Sequence, residues 1–324
     1  MSKVSVIIPS YNAEKYIEQT ILSALNQTWK NIEIIVVDDG SDDKSYFIAK
    51  AFSSERVKVY KNPGKGACAA RNFGYMQSKG DLIQFLDADD LLSPHKIESQ
   101  IRVWNNNEGV LLNGRWGRFY TNDPIKENIL WGPDKSLQND LQPLDWILAN
   151  NMSQTACWLT PRKLIEKAGL WNESLLLNQD GEFFTRIVAN SSFVKFCNDA
   201  KVFYRSGLNS SITSNQVIKT KVESKLKSLL LIEETIFTLE VSERTKLLSS
   251  NNYLNLLYLI YPRYPDIVED LFRKIDELGG GNLPFNSTPL TEKVAKVIGW
   301  KMAKRIRYLL GKSLRKYYLL LLQT

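Results

Sequence analysis

The first hundred residues predict an α/β fold: a mostly parallel central sheet flanked by helices, with a helical region after it. Short apolar runs rich in β-branched residues alternate with longer stretches whose apolar residues recur at helical spacing, which is the pattern of βαβ units. Each run also stops at a cluster of polar residues or glycines. The expected strands are 4–8, 33–37, 57–60 and 82–86. Between them Ile17, Ile21, Ala24 and Leu25 share one helical face, and Ala69, Phe73 and Met76 share another. The strand-end clusters are Ser10 to Asn12, Asp38 to Asp43, Asn62 to Gly66, and Asp87 to Asp90. Open parallel sheets bind ligands outside the carboxyl ends of their strands, so all four are candidate site segments.

Residues 105–215 read as short apolar runs among Gly, Asn, Pro and Trp, a segment expected to close the sheet and hold an acceptor. This gives a catalytic domain at 1–215, divided into halves at 1–104 and 105–215, and a helical C-terminal region at 216–324. In that region 221–237 is amphipathic, Gly279 to Gly281 mark a break, and a last helix is expected from about Thr291.

The composition, 44% hydrophobic and 24% charged, is that of a folded globular chain and argues against disorder. Cys68, Cys157 and Cys197 are far apart and odd in number, which suggests neither a disulfide framework nor a zinc site, and fits a reducing, cytoplasmic setting. The apolar run at the N-terminus stops at Pro9 without a cleavage site and reads as a buried strand. No run approaches the length of a membrane span.

The net charge of +7 is carried by seven cations and no acid between Trp300 and Thr324. Trp300, Ala303, Ile306, Leu310, Leu314, Tyr317 and Leu321 form an apolar stripe there, so the stretch reads as a basic amphipathic helix. Such a helix suits an anionic membrane surface, which would place the protein peripherally on the inner face of the membrane, or it docks on protein. Nucleic-acid binding is disfavoured, because the rest of the chain is neutral.

Two acidic clusters carry the chemistry. Asp38 and Asp39 follow a buried strand and act either as turn caps or as ligands. A carboxylate there can accept the ring N–H of uracil, thymine or guanine. Asp87 and Asp89 are expected on one side of an extended strand end, where converging carboxylates invite Mn²⁺ or Mg²⁺. The alternative is that Asp90 or Ser93 caps a helix beginning near Pro94. His95, the only histidine, reads as an exposed surface residue. Trp116, Trp131 and Trp158 could stack on sugars, but core packing is the ordinary role of such residues.

Taken together, VSVIIPSYNAEKYIEQTILSALNQTW, IEIIVVDDGSDD, GACAARNFG and GDLIQFLDADD resemble the family 2 glycosyltransferases of the GT-A fold, closely over residues 3–100. That resemblance implies an inverting, metal-dependent transferase. Its donor would be a nucleotide-diphosphate sugar, with UDP-sugar expected, and its acceptor a glycan or lipid-linked saccharide of cell-surface polysaccharide synthesis. It implies that Pro9, Tyr11 and Asn12 line the nucleoside pocket, Asp39 holds the base, Arg71 lies beside the nucleotide, Asp87 faces the ribose and Asp89 binds the metal. In LLLNQDGEFFTRI, Asp180 aligns with the general base, Gln179 replaces a usual acid, and Glu182 is the second candidate base. In VFYRSGLNSSIT, Arg205 aligns with a diphosphate contact. Where relatives often carry a histidine, Ser206 to Ser211 stand instead.

Two other readings fit less well. A sugar-1-phosphate nucleotidyltransferase would need a basic glycine-rich loop after the first strand. A non-catalytic GT-A-like scaffold binding partners through its basic helix would not need both Asp89 and Asp180.

Overall fold

The computed structural model describes residues 2–121, 123–132, 141–149, 153–207 and 217–321, with backbone alone for Ile125 and for 312–321. It divides into two compact units, one of residues 1–174 and 179–214, the other of 175–178 and 215–324.

The first unit begins with β1 (Val4–Ser10), α1 (Ile17–Leu25), β2 (Ile32–Asp38), α2 (Ser45–Ala51), β3 (Val57–Lys61), α3 (Ala67–Gln77) and β4 (Leu82–Phe85). It continues through β5 (Leu91–Leu92), α4 (Lys96–Trp104), β6 (Val110–Phe119), β7 (Trp131–Gly132), α5 (Pro143–Leu148) and β8 (Thr160–Pro161). It ends with α6 (Arg162–Ala168), α7 (Gln179–Ala189) and β9 (Phe193–Arg205). The four expected strands are present within two residues of their expected ends. They form one sheet in the order β3-β2-β1-β4-β8, parallel except for β8.

Both faces of this sheet are covered, which explains why its strands read as continuous apolar runs. Val4, Val6 and Ile8 pack on one side with Ile17, Ile21 and Ala24 of α1. Ile7, Ile83 and Phe85 point the other way, into a cluster with Trp171, Phe183 and Ile187. The alternation follows from the two-residue period of a strand. Of the expected α3 face, Ala69 is buried and Phe73 packs beside Ile35 and Val37, but Met76 is 62% exposed because α3 ends one residue later.

A second sheet, β5-β9-β6-β7, was not anticipated, and it supplies the architecture of 105–215. Its central pair, β6 and β9, is parallel, with an irregularity between Gly114 and Arg115. Trp158 is buried and stacks on Phe184, while Trp116 and Trp131 pack against Tyr204 and Phe203. All three make packing contacts, and Trp116 and Trp131 are half-buried.

The second unit contains α8 (Lys219–Leu239), α9 (Glu243–Ile260), α10 (Pro265–Glu277), α11 (Pro289–Ile298) and α12 (Trp300–Leu321). The expected boundary at 215 needs one amendment: Leu175–Asn178 belongs here, since Leu176 and Leu177 donate their N–H groups to Ser224 Oγ and Asn178 bonds Ser228. The single last helix expected from Thr291 is two helices, parted at Gly299, whose φ of +78° suits only glycine. Trp300 and Ala303, the start of the expected stripe, pack inward, with Trp300 among Tyr258, Tyr261, Phe272 and Phe285. Ile306, Leu309 and Leu310 remain exposed. The side chains of Leu314, Tyr317 and Leu321 lie outside the described residues. Among the described residues no helix is long and apolar enough to cross a membrane.

Candidate active site

The carboxyl ends of β1, β2 and β3 are stitched into one rim. Asp39 donates its N–H to the Ser10 carbonyl at 2.8 Å, and Asn62 donates its N–H to the Asp38 carbonyl at 2.7 Å. Pro9 is buried within β1, opposite Val37. Tyr11, 59% exposed, and Asn12 follow it at the rim. Asn12 adopts φ +47°, a left-handed conformation that asparagine tolerates, and its side chain accepts the Asp42 N–H at 2.9 Å.

The two acids at the end of β2 divide their work. Asp38 is buried and caps its own turn, accepting the Ser41 N–H at 3.1 Å and the Ser41 hydroxyl at 2.6 Å. Asp39 turns the other way, toward the third cluster: it accepts the Asn62 amide at 2.6 Å and the Gly66 N–H at 2.9 Å. Gly66 can present that N–H because its φ of +95° is open to glycine. Asn62 and Gly66 are thus partners of Asp39 that spacing alone did not reveal.

Asp87 to Asp90 is a turn rather than an extended strand end. β4 stops at Phe85, and the Asp90 N–H bonds the Asp87 carbonyl at 3.1 Å. The expected alternation therefore does not apply, and the turn alone crowds the three carboxylates. Asp90, which was a candidate helix cap, is buried instead and accepts the Arg205 N–H at 2.9 Å, while α4 starts at Lys96 with no side-chain cap. Burial and the charges of Asp89 and Asp87 push its pKa well above the carboxylate range. Asp87, 34% exposed, pairs with Arg71 at 2.7 Å. Asp89 has no side-chain partner among the described residues, and burial followed by repulsion from Asp87 pushes it up to about 6.

Arg205, expected beside the diphosphate, is 4% exposed and engaged with the protein. It donates to the Asp89 carbonyl at 2.9 Å, the Thr121 carbonyl at 2.8 Å and Gln19 Oε1 at 3.0 Å. Tyr16 and Phe119 flank it at 4.6 and 4.4 Å. Arg205 therefore braces the acidic turn from β9. The serine-rich stretch beyond it, 208–211, lies outside the described residues. His95 is 68% exposed, as expected.

A chain of contacts runs from this rim to α7, whose first turn carries Asp180. Arg71 lies over the Trp171 ring at 4.4 Å, and Trp171 stacks on Phe183 at 4.0 Å with an interplanar angle of 9°. Asn72, next to Arg71, holds Trp171 at both backbone groups, each at 2.9 Å. Phe183 lies on α7 three residues after Asp180, hence on the same helical face. Asp180 occupies the exposed first turn of α7. Burial works against the charge of Arg71; Asp87 and, more weakly, Asp180 restore it. Burial also pushes the Cys68 thiol up to about 11, with Glu173, Glu182 and Asp180 adding to the effect. Glu182 is buried and fully engaged, clasping Arg186 through both oxygens at 2.6 and 3.0 Å.

Trp171, the centre of this relay, was missed by the sequence reading, which singled out other tryptophans. No periodicity marks it, because it lies in a loop.

Comparison with known proteins bears on the family and the fold. The family model for glycosyl transferase family 2 matches residues 5–168. An uncharacterized glycosyltransferase of Rickettsia typhi is 34% identical over 66% of this chain and 67% of its own length. The Escherichia coli UDP-Glc:alpha-D-GlcNAc-diphosphoundecaprenol beta-1,3-glucosyltransferase WfgD is 37% identical over 43% of this chain, which spans 54% of that relative. Among solved structures, Staphylococcus aureus TarS 1-349 in complex with UDP-GlcNAc aligns over 95% of this chain and 92% of its own, with a TM-score of 0.63 and 16% identity, a likeness of fold. The chain belongs to the family 2 glycosyltransferases and has the GT-A fold of that family.

Proposed function

We propose that the protein is an inverting transferase that moves a sugar from a UDP-sugar to a hydroxyl of a glycan or lipid-linked saccharide in cell-surface polysaccharide synthesis. The observation that carries this reading is a carboxylate without a side-chain partner at Asp89 and a second at Asp180, with Arg71, which pairs with Asp87 and is charge-stabilised by Asp180 as well, between their segments. The uracil reading rests on Asp39, whose exposed-side acceptor capacity suits a ring N–H, with Pro9, Tyr11 and Asn12 beside it and Asp87 toward the ribose. The relative WfgD uses UDP-Glc and a diphosphoundecaprenol-linked acceptor by its name, which supports the same donor nucleotide and a lipid-linked acceptor here.

In this reaction Asp180 accepts the proton of the acceptor hydroxyl. The oxygen then attacks the anomeric carbon from the face opposite the leaving group. The bond from that carbon to the diphosphate breaks, its electron pair departs with UDP, and configuration inverts. Such a base contributes about 10²–10⁴ in rate. Arg71, paired with Asp87, fixes the acidic turn beside the nucleotide, and Arg205 holds the Asp89 backbone from behind.

The donor set suits Mn²⁺ or Mg²⁺. Asp89 is a hard oxygen ligand with no side-chain ion-pair partner among the described residues; burial and the charge of Asp87 raise its pKa despite the charge of Arg205, and a divalent ion would favour its charged form. Among the described residues no three His, Cys, Asp or Glu side chains are grouped to chelate an ion, so Asp89 would share it with diphosphate oxygens and water. When bound, the cation stabilises the departing diphosphate charge. Exposed Ile306, Leu309 and Leu310, interleaved with cations on α12, support peripheral attachment to an anionic membrane.

The test is a panel of UDP-, dTDP- and GDP-sugars assayed with Mn²⁺ for thermal stabilisation and nucleotide release. A response confined to UDP-sugars is expected. Equal response to all three, or none to any, overturns the proposal.

A further inference from the structure

The second unit contains a cavity of about 650 Å³ that the transfer reaction does not use. Its size is that of an ordinary small-molecule pocket. Arg263, Lys304 and Arg307 line it, together with Tyr258, Tyr308 and Ser287, and no acidic residue does. None of the three cations has an ion-pair partner among the described residues. Arg263 lies over the Tyr308 ring at 5.6 Å. Arg307 is held by hydroxyls, donating to Ser287 Oγ at 3.1 Å, Thr288 Oγ1 at 3.3 Å and Thr291 Oγ1 at 3.4 Å. The nearby carboxylate of Glu292 accepts the Ser287 N–H at 2.7 Å and makes no ion pair with the three cations.

Three like charges around one concavity are unfavourable by themselves. Lys304 records this: burial, then Arg307 and Arg263, hold its ammonium below the usual lysine range. The first turn of α11 reaches the same wall, since its N-cap Thr288 lines the cavity, and it adds the positive end of a ten-residue helix. An anion is the one kind of ligand that relieves all of these terms at once. A guanidinium fixed on one side by hydroxyls is organised to give its remaining N–H groups to phosphate oxygens. The tyrosines and Leu259 provide an apolar wall for whatever the phosphate is attached to.

We propose that this cavity is a binding site for a phosphate or diphosphate group, separate from the donor site and independent of the transferase reading. The phosphate can belong to a lipid headgroup or to a soluble phosphorylated molecule. The probe that tests the shared chemistry is inorganic pyrophosphate, titrated calorimetrically into the full chain with a chelator present.

The parent protein binds pyrophosphate in this experiment, and Lys304→Gln and Arg263→Gln each weaken binding by about tenfold or more, the scale of a lost charge-assisted contact. Lys304→Arg, which keeps the charge, retains binding, and thermal melting of each variant reports on folding. UDP binding with Mn²⁺ stays unchanged in all three variants, which separates this site from the donor site. Vesicles containing phosphatidylglycerol distinguish the source. Pyrophosphate that displaces the protein from vesicles supports a headgroup ligand, and pyrophosphate binding without such competition supports a soluble one. No pyrophosphate binding by the parent, or equal binding by the neutralised variants, overturns the proposal.

Discussion

The acidic turn at Asp87 to Asp90 and the helix start at Gln179 to Glu182 each present acids two residues apart, and each treats its acids unequally. In the turn, Asp87 is paired with Arg71 and Asp90 with the Arg205 backbone, while Asp89 has no side-chain partner among the described residues. On the helix, Glu182 is clasped by Arg186, while Asp180 is exposed and shows no hydrogen-bond or ion-pair partner among the described residues. A buried carboxylate needs compensation, so the partnered acids are the ones the fold consumes. The acids without a side-chain partner remain available to a ligand. Type and spacing alone do not make this distinction, since the acids of each set are alike in type and closely spaced in sequence.

Substitutions can break this comparison. The largest effect is expected at Asp180→Asn, which should lower the turnover number by about 10²–10⁴ in a nucleotide-release assay, because it removes the base and little else. Glu182→Gln should show the opposite profile. Turnover should stay within about threefold of the parent, while urea denaturation should reveal a loss of about 1–3 kcal/mol, since one charged hydrogen-bond partner of Arg186 is neutralised in a buried clasp. A larger kinetic effect at Glu182 than at Asp180 would reverse their assignment.

A smaller effect comes from Lys96, a buried cation with no acid beside it. It donates to Gln84 Oε1 and to the Trp158 carbonyl, and burial pushes its pKa down to about 7. In the unfolded chain a lysine holds its proton to about pH 10.4. Between these values the unfolded state binds a proton that the folded state lacks, so stability should rise with pH, by at most about 1.4 kcal/mol per unit. Below pH 7 both states are protonated and the rise is absent. Lys96→Met should flatten this slope in urea midpoints measured from pH 7.5 to 9.5. A slope unchanged by the substitution would show that the proton uptake belongs to another group.

Much of residues 1–104 was legible in the sequence because its information is local. A strand covered on both faces must be continuously apolar, and its end must turn, so β1 to β4 and their polar ends can be read off directly. The rest depended on contacts between distant segments. Nothing near Asp39 announces that Asn62 and Gly66 will hold it, and nothing near Arg205 announces that the Asp89 backbone will occupy it. Trp171 shares no period with its neighbours, yet it joins Arg71 to Phe183. The second sheet escaped notice because β5 and β7 are two residues each, too short for alternation to be visible, and its long strands β6 and β9 pair from distant parts of the chain. In the last helices, the break came from a single glycine in a region whose amphipathic pattern runs on through it.

The most direct test titrates UDP with Mn²⁺ into Asp89→Ala and Asp180→Asn side by side by calorimetry. Asp180→Asn should bind UDP as the parent does, and Asp89→Ala should lose the Mn²⁺-dependent part of its affinity. Equal binding by both variants, or loss at Asp180→Asn with retention at Asp89→Ala, would contradict the division between a metal-binding acid on the turn and a base on the helix.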